Sequence, residues 1–303
     1  VPHVIVIAHR GASGLRPEHT LESYRLAIEQ GADYIEPDLV MTQDGVLVAR
    51  HENEIGGTTD VAGHPEFAAR RRTQTIDGET LTGWFTEDFT LAELKTLRAR
   101  ERLPQLRHAN TAFDGRFTIP TFDEILALAT EANRRGGRRA PVGVYPETKH
   151  PSHFRALGLP LELPLLEALE RHGFEPPGAP VYIQSFDPHN LRYLRTLTRL
   201  PLVQLLEVEL GDLNEVATYA DAIGIHKPLA TEAAIAAAHA LGLEVHVWTF
   251  RAENEFLPED LRVGDAPAGH GRLAAEITRY VERGCDGFFT DFPAIGASVR
   301  DRT

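Results

Sequence analysis

Short apolar, β-branched runs recur along the chain, and most are followed by a stretch with helical periodicity. This alternation constrains the fold more than any other feature, because strands that alternate with helices build a parallel sheet. The first run is Val4 to Ala8 and ends at His9-Arg10-Gly11. A helix is expected from about Thr20, its N-cap, to Gln30, with Gly31 as the stop. Tyr34 to Val40 reads as the second strand, and the turn Gln43-Asp44-Gly45 sends the chain back as Val46 to His51, a hairpin. Later strands are expected at Val142 to Glu147, Val181 to Phe186, Leu202 to Leu206, Ala222 to Ile225, Glu244 to Phe250 and Gly287 to Thr290. Between them the clearest helical patterns are Glu124 to Arg134, Leu161 to His172 and Glu232 to Leu241. With the hairpin counted alongside its parent strand, there are eight β units. Eight favour an α/β fold of the closed (β/α)8 TIM-barrel type over an open doubly wound sheet. No G-x-G-x-x-G follows the first strand, which argues against a dinucleotide fold.

Residues 52–118 break the alternation with many charges, scattered Gly and Pro, and few strand signals. Setting them aside leaves roughly 240 residues, close to the ~250 typical of such a barrel. The chain therefore reads as one barrel domain, 1–303, with an inserted module, 52–118, in the second βα loop. That module either shapes the substrate entrance or is a surface excursion without catalytic consequence.

Composition narrows the function. The net charge is −13, which disfavours nucleic acid as a partner, since that affinity comes mainly from Lys and Arg on phosphates. No apolar run approaches the ~18 residues of a spanning helix, so no integral membrane segment is expected. The one cysteine, Cys285, excludes an internal disulfide and a Cys-based zinc site. The chain starts at Val1 and its only methionine is Met41, so the start codon is expected upstream, lost with a leader or by trimming.

Polar residues accumulate at the C-terminal ends of the expected strands, which in a barrel converge on one mouth. They are His9 and Arg10, Glu36 and Asp38, His51, Glu147 and Lys149, Gln184 and Ser185, His226 and Lys227, His246 and Trp248, and Asp291. Glu36 and Asp38 are two apart and share one face of a strand. Two inward carboxylates repel unless protonated, paired with cations or bound to metal. Glu147 completes an all-oxygen set that suits one hard divalent cation, Ca2+ or Mg2+. The alternative is a buried ion-pair layer of the acids with Arg10 and Lys149. Pro37, lacking an N–H, is expected to interrupt the ladder between the two acids.

His9 and His51 close strands that flank the acids, where two imidazoles across a metal-bound phosphate would serve as general base and general acid. His3, His64, His108, His172 and His270 read as ordinary surface or core residues. The Gly11-Ala12-Ser13-Gly14 loop reads as a tight turn, because no Lys follows in P-loop register and no G-x-S-x-G surrounds Ser13.

His9-Arg10-Gly11-Ala12-Ser13-Gly14 followed by Pro17-Glu18-His19-Thr20 resembles the N-terminal signature of the glycerophosphodiester phosphodiesterase family. So do Gly31 to Asp38, Thr42-Gln43-Asp44-Gly45, Val48 to His51, Tyr145 to Lys149 and Asp286 to Pro293. The resemblance covers the chain outside the insertion. It implies a (β/α)8 barrel that hydrolyses glycerophosphodiesters, such as glycerophosphocholine, to glycerol 3-phosphate and an alcohol. By motif position it implies Glu36, Asp38 and Glu147 as metal ligands, His9 and His51 as the acid–base pair, and Arg10 on the phosphate. Lys149 fits a phosphate-side lysine and Trp248 a residue at the glycerol end, and Gln184 is counted with the substrate-binding group. Glu52 stands where the family commonly has Asp, His19 where Asn is more frequent, and Gly56 to Asp60 lacks an arginine often seen before the paired threonines.

The resemblance leaves the nucleophile open between the glycerol 2-hydroxyl, through a cyclic phosphate, and water. Its details favour the exported branch, hence a periplasmic or extracellular location over a cytoplasmic one. Two rival readings are a sphingomyelinase D-like lipid phosphodiesterase, for which the 52–118 segment is too charged, and a non-catalytic binding protein, which would lack a catalytic position.

Overall fold

In the computed structural model, which describes residues 4–176 and 178–303, eight parallel strands close into a ring. The first strand, Ile5–His9, lies between the eighth, Gly287–Thr290, and the start of the second, Tyr34–Glu36. The second strand resumes after Pro37 as Asp38–Met41. The third is likewise in two pieces, Gly143–Val144 beside Tyr34–Glu36 and Glu147–Thr148 beside Asp38–Met41. Glu147 then pairs with Gln184 of Ile183–Ser185, and the ring continues through Leu202–Leu206, Ala222–His226 and Glu244–Phe250 back to the eighth strand. This is the (β/α)8 barrel expected from the alternation.

Pro37 interrupts the ladder only on its donor side. Its carbonyl accepts from the Glu147 N–H at 2.9 Å, and the Pro146 carbonyl accepts from Gln184 N–H at 2.9 Å. The strands thus bend at the prolines without separating. Gly143 is needed at this point because a Cβ there would lie 2.3 Å from the Tyr34 ring and 2.5 Å from the Pro180 carbonyl oxygen.

The helix Leu21–Glu29 starts where the Thr20 side chain accepts from the Ser23 N–H. Phe122–Arg135 starts with a reciprocal capping box between Thr121 and Glu124. Val6 and Ala8 face the helices, in one apolar layer with Ile35, Leu39, Val245 and Phe288. Ile7, one residue out of phase, points into the ring with Tyr145, Val203, Ala222 and Phe289. Each such large apolar side chain contributes roughly 1.5–3 kcal/mol on burial.

Leu47–Ala49 returns antiparallel to Leu39–Met41, the expected hairpin. Within residues 52–118 the structure adds a two-stranded ribbon, Arg72–Ile76 with Glu79–Gly83, where few strand signals were read. The missed signal is Asp77-Gly78, both at positive φ (50° and 87°), between alternating threonines. Among the described residues no helix is long and apolar enough to cross a membrane.

Candidate active site and metal centre

A cavity of about 720 Å³ opens at the C-terminal ends of the strands, and all nine residues proposed from sequence for catalysis, substrate or metal line it. Residues of the 52–118 segment, among them Glu52, Thr58, Ile76 and Arg102, form part of the same wall.

Glu36, Asp38 and Glu147 are buried, with one carboxylate oxygen of each lying within 4.8 Å of the others. Arg10 has a left-handed backbone (φ 59°), and its N–H donates to Glu36 Oε2 at 2.8 Å. Gln184 Nε2 donates to Glu36 Oε1 at 2.9 Å, so this glutamine supports an acid as well as lining the cavity. Asp38 Oδ2 accepts from His19 Nε2 at 2.9 Å and lies 3.4 Å from Arg10 Nε. Lys149 Nζ sits 3.0 Å from Glu147 Oε1.

Burial pushes Glu36 well above the usual carboxylate range, and the charges of Asp38 and Glu147 add to it. Burial likewise lifts Glu147 to about 8, against the pull of Lys149. For Asp38 the cost of burial is overcome by the His19 hydrogen bond and the charge of Lys149, which hold it well below its ordinary value. The ion-pair alternative accounts for Lys149 on Glu147 and Arg10 near Asp38. It leaves Glu36 with neutral donors only, and the buried Asp38 Oδ1 with no hydrogen-bond partner. An acidic trio with an orphaned oxygen fits a hard divalent cation, which these three side chains are placed to hold.

His9 Nδ1 lies 2.6 Å from Asp291 Oδ1, and His51 Nδ1 forms a short contact with Glu52 Oε1. An ionised carboxylate only accepts, so each imidazole carries its proton on Nδ1 and keeps a lone pair on Nε2. Burial, reinforced by the charge of Arg10, lowers His9 to about 4 and His51 to about 3, against the pull of their carboxylates. Asp291 Oδ2 receives Arg107 Nη2 at 2.5 Å and Arg251 Nε at 3.1 Å. Trp248 donates through Nε1 to the Gly224 carbonyl at 2.9 Å, stacks on His226 with ring centroids 4.9 Å apart, and meets the edge of Phe186.

Five residues read as part of the mouth do not line the cavity: His226 and Asp291 contact the lining residues Trp248 and His9, and three others turn elsewhere. His246 is fully buried inside the ring, where its Nδ1 meets the Tyr145 hydroxyl at 2.7 Å among Tyr145 and Tyr182. Strand periodicity fixes which face a residue takes but not its height in the barrel. The Ser185 hydroxyl accepts from the Asp187 N–H and shapes the loop that follows. Lys227 pairs with Glu276 at 2.7 Å, on the helix side. Of the histidines read as ordinary, His64 sits beside Asp60 and Glu66, His172 pairs with Asp123, His108 is exposed and His270 packs on Phe292. His3 lies outside the described residues.

The family model for the Glycerophosphoryl diester phosphodiesterase family matches residues 9–295, a span that contains every one of these cavity side chains. The chain belongs to this family. Among curated members, a glycerophosphodiester phosphodiesterase of Arabidopsis thaliana is 43% identical over 174 residues, covering 56% of this chain and 44% of the relative. One from Haemophilus influenzae is 36% identical over 180 residues, covering 56% and 46%. The chain thus spans about half the length of these family members. Among solved structures, a putative glycerophosphoryl diester phosphodiesterase from Silicibacter pomeroyi superimposes with a TM-score of 0.72 at 23% identity, covering 100% of this chain and 95% of that one. A phosphodiesterase from Oleispira antarctica, in complex with the product sn-glycerol-3-phosphate, gives 0.70 at 22% identity, covering 98% and 96%. These two share the barrel of the phosphodiesterase family with the present chain.

Proposed function

We propose that this family member hydrolyses glycerophosphodiesters to glycerol 3-phosphate and an alcohol. The observation that carries the proposal is one cavity in which three clustered acids stand beside Arg10 and Lys149, and in which His9 and His51 are each committed through Nδ1 to a carboxylate. The names of the curated relatives and the product bound in the Oleispira structure support the substrate class.

Glu36, Asp38 and Glu147 would hold the cation, Ca2+ or Mg2+, which supplies Lewis-acid neutralisation of phosphate charge when bound. Arg10 and Lys149 face the same cavity and bind the non-bridging phosphate oxygens, Arg10 through the N–H groups not engaged by Glu18. Trp248 and the Phe186 edge wall the glycerol side. One imidazole takes the proton of the attacking hydroxyl at Nε2, while the other gives an Nε2 proton to the departing alkoxide. The bound anionic diester offsets Arg10 and favours the protonated form of the donor histidine. A new P–O bond forms as the P–O bond to the alcohol breaks, and one proton enters and one leaves the histidine pair. The nucleophile is the glycerol 2-hydroxyl or water, and a substrate lacking that hydroxyl separates them: undiminished turnover excludes the cyclic route. An exported location belongs to this reading on the family resemblance.

The test is alcohol release from a panel of glycerophosphodiesters, with Ca2+ and Mg2+ in turn and after chelation. His9→Ala and His51→Ala are each expected to lose ~10²–10⁴ in rate while remaining folded. Full activity after chelation, or wild-type turnover by either variant, overturns the assignment.

A further inference from the structure

Two arginines of the 52–118 segment reach the carboxylates that hold the two histidines. Arg102 grips Glu52 with Nη1 to Oε1 at 3.0 Å and Nη2 to Oε2 at 2.7 Å. Its other edge grips Glu18, with Nε to Oε2 at 2.8 Å and Nη2 to Oε1 at 2.7 Å. Glu18 in turn accepts from Arg10 Nη1 at 3.0 Å. Arg107 reaches the other carboxylate with single hydrogen bonds to three partners, Nη2 on Asp291 at 2.5 Å, Nε on Glu253 at 2.6 Å and Nη1 on the Ser13 carbonyl at 3.0 Å. Asp291 is divided between its partners, one oxygen on His9 and the other on arginine.

We propose that Arg102 and Arg107 are positioning residues for His51 and His9, so that the 52–118 segment assembles the acid–base pair as well as walling the cavity. This rests on the acid–base reading above. A carboxylate with one oxygen on an imidazole can still swing about its side-chain bonds. The Arg102 fork across both oxygens of Glu52 fixes that carboxylate plane. Arg107, itself anchored by Glu253 and the Ser13 carbonyl, ties down the Asp291 oxygen that His9 leaves free, beside Arg251. Each thereby sets the direction of an Nε2. Lysine cannot reproduce the Arg102 fork or the planar three-way bridge of Arg107, because an ammonium is a point charge. The two arginines also differ in reach. Arg102 continues through Glu18 to Arg10 and therefore touches phosphate binding, whereas Arg107 ends at Asp291, Glu253 and the Ser13 carbonyl.

The test compares Arg102→Lys and Arg107→Lys, which keep a cation against the buried acids, with the alanine variants where these fold. A shift of about 1 Å in a catalytic group costs about 10²-fold, so kcat is expected to fall about 10²-fold in both lysine variants. KM should rise for Arg102→Lys and stay near wild type for Arg107→Lys. A second measurement needs no substrate. In ¹⁵N-histidine-labelled protein, each Nδ1–H bonded to a carboxylate gives a downfield proton resonance, and each variant is expected to lose or shift the one it supports. Folded variants that keep wild-type kcat and both resonances overturn the proposal. A wild-type protein inactive on every glycerophosphodiester overturns the functional reading instead, and the resonances then decide the positioning role.

Discussion

His19 donates from Nε2 to Asp38 Oδ2 at 2.9 Å and accepts at Nδ1 from the Tyr24 hydroxyl at 2.7 Å, with all three side chains buried. Asp38 is ionised and can only accept, so the tautomer of His19 is fixed and Tyr24 must be the donor. The chain therefore braces one candidate metal ligand with a neutral imidazole at a position where the family more often has Asn. His19→Ala removes that brace, and cation affinity is expected to fall by about 10–100-fold. Tyr24→Phe should lose less, because His19 still reaches Asp38. Calorimetric titration of the cation into each variant measures both.

Chelation should lower the melting temperature, since three buried acids are then left without their shared counter-charge. Cation at a hundred times its Kd should restore about 2.7 kcal/mol. Glu36→Gln relieves part of the repulsion, so its metal-free form should melt above metal-free wild type and respond less to added cation. Scanning calorimetry with and without chelator gives the comparison. An unchanged melting temperature in wild type would remove the metal assignment.

Glu101, the buried neighbour of Arg102, is pushed by burial from 4.5 to about 7, although the Leu103 N–H and the Asn110 amide both donate to it. Between those values the folded protein holds a proton that the unfolded chain has released. Stability from this group is thus intact below pH 4.5 and lost as pH rises through about 7, by about 3 kcal/mol in all. Glu101→Gln should flatten that part of the stability profile. Denaturant unfolding of both proteins across the range tests the sign as well as the size.

Cys285 is buried, and burial, with the charge of Asp286, raises its thiol to about 12. The native protein should therefore leave a thiol-reactive chromogen untouched at pH 8, and one equivalent should react once denaturant is added. Rapid labelling of the native form would contradict this placement.

What could be read in advance followed from short-range rules. Period-two alternation put Glu36 and Asp38 on one face, and Thr20 ahead of a helical run fixed a helix start, as the structure has them. The supporting layer was not legible, because its members meet across 282 positions for His9 and Asp291 and 84 for Glu18 and Arg102. Nothing local marks Arg102 or Arg107 among the other arginines of a charged segment. His246 fails for a different reason. Its strand and face were evident, but its depth depends on the relative stagger of neighbouring strands, which places it level with Gly224 and Gly287.

The seam between the first and last strands has a consequence for how function arises during synthesis. His9 leaves the ribosome 282 residues ahead of Asp291, yet the two share a hydrogen bond across that seam. A nascent chain stopped between Glu147 and the eighth strand owns every proposed metal ligand and both imidazoles, but one imidazole has no anchor. Competence should therefore switch on in a single late step, when the last strand zips into the gap, rather than growing with length.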